Sequence, residues 1–223
     1  MAILTAHQIT RTLTDEAVPV TLVKDANVEV QPGEFIAITG PSGSGKSSLL
    51  YLLGLLDKPT SGEIWIEGQK TSSLSQDALG RIRLEKLGFI FQFHFLLPEF
   101  TALENVMMPM RRLGQLNDAQ MREKASAILE SLSLKDQAHK LPSQMSGGQR
   151  QRVAIGRSLA NDPILLLADE PTGNLDSVSS KAVQDILRDL AHTQKRAVLA
   201  VTHDLDFAAD TDRIIHIVDG KIT

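Results

Sequence analysis

Apolar positions recur along this chain with two different periods. Near the start they alternate, or run unbroken over a few residues. "NVEV" and "EFIAITG" read as strands, the second rich in β-branched and apolar residues and stopped by Gly40. Gln31-Pro32-Gly33-Glu34 between them reads as a turn. After a Gly/Ser loop, "KSSLLYLLGLL" is a helical run, and "GEIWIEG" is a short strand with Ile64 and Ile66 on one face, closed by Gly68. In the middle the period lengthens. "NDAQMREKASAILESL" puts Met121, Ala125, Ile128, Leu129 and Leu132 on one helical face, with Asn117 and Gln120 as N-cap and N3 partner. That is a packing helix and calls for no chemistry. The last part alternates again: a helix from Ser146, strand "ILLLAD", helix "SSKAVQDILRDLA", strand "AVLAVTH" and strand "RIIHIVDGKI".

Continuous apolar strands separated by helices predict an α/β fold with a mainly parallel sheet covered on both faces. The pattern divides into one α/β lobe, residues 1–92 and 159–223, interrupted by a mostly helical insert over 93–158. The join falls in "LGFIFQFHFLLPEF", which holds five of the seven phenylalanines. Burying one phenylalanine is worth ~1.5–3 kcal/mol, so such a cluster is either core or covered by something else. Alternation about Ile90 predicts Phe89 and Phe91 as sheet core.

The bulk numbers narrow the function classes. The chain has 223 residues and a net charge of −4. Its pI of about 5.9 argues against a dedicated nucleic-acid binder, which shows a basic face. There is no cysteine, which excludes disulfides, thiolate zinc sites and a Cys nucleophile. No apolar run approaches the ~18–20 residues of a membrane span. "MAILTAHQITR" lacks the pattern of a signal peptide. Service to a membrane, if any, goes through a partner rather than by direct insertion.

Three short segments carry chemistry. "GPSGSGKS" (Gly40, Pro41, Ser42, Gly43, Ser44, Gly45, Lys46, Ser47), followed by Ser48, lies between a predicted strand and a predicted helix. In that context it reads as a P-loop, whose backbone N–H groups and helix N-terminus cradle phosphate oxygens. Lys46 then reaches the β- and γ-phosphates of a nucleotide such as ATP, and the Ser47 hydroxyl ligates Mg²⁺. "ILLLADE" brings Asp169 and Glu170 to the C-terminal end of a buried strand, where open α/β sheets bind ligands. Asp169 suits a Mg²⁺ role and Glu170 suits polarising a water. "SGGQR" opens another helix. Ser146 and Gln149 form a capping box, and Gly147 and Gly148 straight after the cap make sense if the backbone approaches a ligand closely.

The P-loop, "SGGQ", "LLLADEPTGNLD" and "VTHD" together resemble the nucleotide-binding subunits of ABC (ATP-binding-cassette) transporters, over nearly the whole chain. The resemblance implies the P-loop NTPase fold of that family, with an antiparallel β subdomain and an inserted helical subdomain. It implies an ATP-dependent, head-to-tail homodimer in which the P-loop of one subunit and Ser146-Gly147-Gly148-Gln149 of the other sandwich each ATP. Gln92 matches the glutamine that senses Mg²⁺ and the attacking water, Glu170 the catalytic glutamate, and His203 the switch histidine. Asp176 matches the aspartate linking the two sites. The family's adenine-stacking aromatic falls by spacing near Leu13. No aromatic residue precedes Phe35, so an aliphatic contact from Leu13 or Val20 stands in for it. Met145 replaces the commoner Leu, a volume-conserving swap.

"ADEPTGNLD" and "QFHFLLPEFTALENV" resemble most closely the lipoprotein-releasing (LolD-type) branch, with MacB-type exporters and FtsE-like division proteins as relatives. This implies a peripheral ATPase on the cytoplasmic side of the inner membrane, bound to integral membrane subunits and driving release of lipoproteins. Export by a MacB-type system or a division role is the alternative; a soluble DNA- or ribosome-acting ATPase lacks support from the short insert and the absence of a basic tail. The resemblance also takes the chain out of the sheet after Gln92, so that Phe93, Phe95, Leu96, Leu97 and Phe100 form a groove for a cytoplasmic helix of the membrane subunit.

Overall fold

The computed structural model describes residues 1–14 and 19–223. Two sheets organise it. The first is antiparallel, with β1 (Leu4–Leu13), β2 (Val20–Val30), β4 (Ser61–Ile66) and β5 (Gln69–Lys70) in the order β2-β1-β4-β5. Its strands alternate, as a sheet with one covered face should. Val23, Ala26, Val28 and Val30 of β2 point inward, as do Ile64 and Ile66 of β4.

The second sheet holds β3 (Phe35–Thr39), β6 (Leu87–Phe91), β7 (Leu165–Asp169), β8 (Ala197–Val201), β9 (Arg213–Val218) and β10 (Lys221–Ile222), in the order β10-β9-β3-β8-β7-β6. All neighbours pair in parallel except β10 with β9. Every residue of β3 and β8 is buried, which explains their unbroken apolar runs. "RIIHIVDGKI" is two strands rather than the one expected. Asp219 and Gly220 both have positive φ, and this left-handed pair reverses the chain.

Helices α1 (Lys46–Leu53), α2 (Gln76–Lys86), α3 (Ala102–Leu113), α4 (Asp118–Ser131), α5 (Gly147–Leu159), α6 (Ser177–His192) and α7 (Leu205–Ala209) complete the fold. One core lies between α1, the antiparallel sheet and one face of the parallel sheet. The other joins α3–α6 to the opposite face through Ile90, Leu166, Ala168, Val198 and Ala200. The helix expected from Asn117 starts there, with its capping box formed, and buries Met121, Ala125 and Leu129. Strands β1 and β5 and helices α2, α3 and α7 add to the elements that the pattern predicts.

One expectation needs correction. Ile90 is fully buried, but Phe89 and Phe91 are only half-buried. Strand β6 is the outermost of its sheet, so the face carrying them is covered only in part. Their rings stack at a centroid distance of 6.1 Å and form the wall of an open cleft.

Candidate nucleotide site

Strand β3 ends at Thr39, and the chain loops through Gly40–Gly45 into α1. Gly45 is the N-cap, with φ of 101°, and a Cβ there would lie 2.2 Å from the Leu22 carbonyl oxygen. Only glycine fits so close to β2 in that conformation. Pro41, Ser42 and Gly43 form an exposed lip. Lys46 folds back over the loop, its Nζ donating to the carbonyls of Gly40 (2.9 Å) and Pro41 (2.8 Å). The Ser44 Oγ is buried with no partner among the described residues, which is costly in a closed structure and apt in an anion cradle. No acidic residue lies in the first turn of α1 to oppose an anion.

The next turn of α1 faces β7. Ser47 Oγ donates to Asp169 Oδ1 at 2.9 Å, and Tyr51 OH donates to Asp169 Oδ2 at 2.7 Å. Burial, reinforced by Asp169, pushes the Tyr51 phenol up to about 12, so it stays a donor near neutral pH. A serine hydroxyl beside a carboxylate at a strand end is a hard-oxygen donor set. It fits Mg²⁺, which takes few protein ligands and keeps several waters. Among the described residues there is no larger His/Asp/Glu cluster able to hold a metal by itself.

Glu170 follows Asp169 with φ of 49°, a strained value for a non-glycine residue. Its N–H donates to the Val201 carbonyl at 3.0 Å, which ties the bend to the end of β8. Its Oε2 lies 2.8 Å from His203 Nδ1; the carboxylate is mostly buried while the imidazole is 71% exposed. Thus the C-terminal ends of the adjacent strands β3, β8 and β7 deliver Lys46, Asp169, Glu170 and His203 to one place. A phosphate chain on the loop and a water held by Glu170 are the chemistry that this place can accommodate.

Gln92, just past the end of β6, is held by the turn after β7. Its Nε2 donates to Asn174 Oδ1 at 3.3 Å, and Asn174 Nδ2 donates to the Gln92 carbonyl at 3.5 Å. It is hydrogen-bonded to neither Ser47 nor Asp169. Asn174, in the turn after Glu170, carried no sequence signal beyond its place in "GNLD". At the start of α5, Ser146 caps the helix and Gln149 reaches back to the Ser146 N–H at 2.9 Å. Gly148 is explained by packing: a Cβ there would lie 2.6 Å from Ser179 Oγ. Ser179 in turn donates its N–H (2.9 Å) and hydroxyl (2.8 Å) to Asp176, the N-cap of α6. The backbone bond from Ser179, then its hydroxyl, holds the Asp176 carboxyl below its usual range. Ser146, by contrast, is exposed.

A cavity of about 860 Å³ opens between α2, β6, α3 and α5. Leu87, Phe89, Phe91, Pro109 and Leu113 give it apolar walls, and Arg81, Arg83 and Arg112 give it a basic rim. None of the five residues expected to form a groove lines it. Phe93 and Phe95 are 64% and 63% exposed, Leu97 is at the surface, and Leu96 packs inward on the helical core. Phe100 is half-buried beside the α3 cap. Only Phe95 reaches the cavity's edge, its ring meeting Phe91 edge-on at 5.4 Å. The sequence pattern gave no signal for two residues that hold this loop. Asn105, fully buried, donates to the carbonyls of Leu97, Phe100 and Thr101 and accepts from the Leu97 N–H. Arg157 of α5 donates to the carbonyls of His94 and Phe95. Leu13 and Val20 face each other as partners at the end of β1 and the start of β2; Asp15 and Glu16 lie outside the described residues.

The family model for ABC transporters matches residues 23–173, which include the loop, Gln92, the start of α5 and the Asp169-Glu170 pair. The chain belongs to the ABC transporter ATPase family. It is 50% identical over 202 residues to the lipoprotein-releasing system ATP-binding protein LolD 1 of Chlorobium chlorochromatii, covering 91% of this chain and 82% of that one. It is 48% identical to LolD of Shewanella denitrificans, covering 99% and 94%. Among solved structures it is similar to the dimeric post-hydrolysis state of the ATP-binding cassette MJ0796 bound to ADP and Pi. That match has a TM-score of 0.90 and 40% identity, covering 98% of this chain and 96% of that one. As an ABC transporter ATPase the chain has the α/β architecture of these cassettes. Among the described residues no helix is long and apolar enough to cross a membrane.

Proposed function

We propose that this protein is the ATP-hydrolysing subunit of a lipoprotein-releasing ABC transporter, working as a dimer against integral membrane subunits. The observation that carries the reading is the meeting of Lys46, Ser47, Asp169, Glu170 and His203 at the C-terminal ends of adjacent strands, in a chain about half identical to LolD proteins. The loop amides and Lys46 bind the phosphates, releasing Lys46 from the carbonyls that it now satisfies. Ser47 and Asp169 would hold Mg²⁺, which when bound would supply charge neutralisation at the phosphates. Glu170 accepts a proton from the attacking water, oriented by the His203 ring. Ser146, Gly147, Gly148 and Gln149, at the start of α5, complete the site of a second copy in a head-to-tail dimer. Residues 93–158 serve as the helical signature subdomain. The Phe89–Phe91 cleft, rather than a groove from Phe93 to Phe100, receives a cytoplasmic helix of the membrane subunit, with Phe95 on its rim. That docking holds the protein peripherally at the cytoplasmic face of the inner membrane.

The experiment is purification with the native membrane subunits, reconstitution, and assay of ATP hydrolysis and lipoprotein release. Expected is ATP- and Mg²⁺-dependent release. ATP turnover without release of any lipoprotein overturns the cargo; no turnover overturns the ATPase reading.

A further inference from the structure

Tyr51 is the only tyrosine in the chain. It lies four residues after Ser47 on α1, so the two side chains share a helical face. Both donate to the same carboxylate, one to each oxygen of Asp169. A carboxylate has about four lone-pair sites, so the two bonds leave room for a further ligand. They fix its plane, because rotation that kept one bond would break the other. Removal of the phenol frees the carboxylate to turn away from Ser47. The Tyr51 ring is partly buried and packs against the core beneath α1.

We propose that Tyr51 is a positioning residue for the divalent-cation site: its phenol locks the Asp169 carboxylate against Ser47 and so sets the affinity for Mg²⁺ in the nucleotide complex. The proposal rests on the nucleotide reading above. It assigns to Tyr51 the part that outer hydrogen-bond partners play around metal ligands, whose loss weakens metal binding by roughly 10–100-fold.

The test uses Mn²⁺ as the probe, with a non-hydrolysable ATP analogue on the full chain, read by electron paramagnetic resonance. Tyr51→Phe keeps the ring and removes only the donor. It is expected to weaken Mn²⁺ binding by on the order of tenfold, while analogue binding in EDTA stays at the wild-type level. Tyr51→His, which keeps a ring N–H donor, recovers part of the loss. Equal Mn²⁺ affinity in wild type and Tyr51→Phe overturns the proposal. So does an equal loss of analogue binding in EDTA, which would make Tyr51 a packing residue of the loop. A wild-type chain that binds neither analogue nor Mn²⁺ overturns the nucleotide reading itself, and that failure is distinct because it precedes any comparison of variants.

Discussion

Arg157, three turns into α5, holds the carbonyl of Phe95 at 2.6 Å, at a residue whose φ is +46°. The same guanidinium holds the His94 carbonyl at 2.7 Å, and burial pushes its pKa down. Among the described residues no carboxylate pairs with it. Its work is therefore to keep a strained loop in place. Because α5 begins at the Ser146 cap, the loop at the cleft and the proposed signature ride on one rigid helix.

Arg157→Met should release that loop. Hydrogen bonds to charged groups are worth ~1.5–3 kcal/mol each. Loss of the pair should lower the melting temperature by several degrees, at roughly 2–4 °C per kcal/mol for a chain of this size. Hydrogen exchange over residues 92–97 should rise more than elsewhere. Unchanged exchange there would show that Asn105 alone fixes the loop.

Glu170→Gln keeps the size and the contact with His203 but removes the proton acceptor. Turnover should fall by at least ~10²-fold, the scale of general-base catalysis. ATP should still bind, and an ATP-bound dimer should accumulate in sedimentation. Hydrolysis near the wild-type rate would exclude Glu170 as the base.

Much of this site was legible because its residues are local in sequence. The P-loop and the Ser146–Gln149 cap are each contiguous, and "ILLLADE" shows by its apolar run that two acids emerge from a buried strand. What was not legible depends on contacts between distant segments. Gln92 turns to Asn174, 82 residues away, and Arg157 to His94, 63 residues away. The phenylalanine alternation misled for a related reason. It reports which residues share a face of β6, but not that this strand is the sheet's edge with one face half open. Gly148 likewise packs against Ser179 of α6, 31 residues on, a contact that no local pattern reports.

Asn105 makes four hydrogen bonds from a fully buried amide, all to the loop over residues 97–101. Asn105→Leu keeps the branched shape but leaves the Phe100 carbonyl and the Leu97 N–H without a partner, while the Leu97 and Thr101 carbonyls keep their backbone bonds from the Phe100 and Asn105 N–H groups. Each orphan costs ~1–3 kcal/mol, less what water recovers at the half-open loop. A loss of at least ~2 kcal/mol in urea unfolding is expected. The same variant should bind the membrane subunits more weakly. A stability equal to wild type would show that the loop re-pairs its backbone without the amide.

If adenine rests on Leu13 and Val20, partners across β1 and β2, the base meets an aliphatic surface. Base–aromatic stacking contributes ~1–3 kcal/mol. Leu13→Tyr should therefore tighten ATP binding by roughly 5- to 100-fold in equilibrium titration with a fluorescent analogue. The wild type should discriminate ATP from GTP by less than about tenfold, since an aliphatic contact reads no base edge. No gain from Leu13→Tyr would place the base away from this pair.

Glu104 closes the cap of α3, accepting from the Thr101 N–H at 2.9 Å and the Thr101 hydroxyl at 2.8 Å. The backbone bond, then the hydroxyl, holds its carboxyl below the ordinary 4.5. A carboxylate whose pKa is depressed on folding contributes stability above its unfolded value. That stability is lost as pH falls through the folded value. Glu104→Gln retains an acceptor but does not titrate. The variant should be less stable than wild type near neutral pH, and the difference should shrink as pH falls below the ordinary 4.5 and through the depressed folded value. Urea midpoints of both proteins across that window measure it. A difference that stays constant with pH would mean that the Thr101 bonds favour the neutral side chain as much as the charged one.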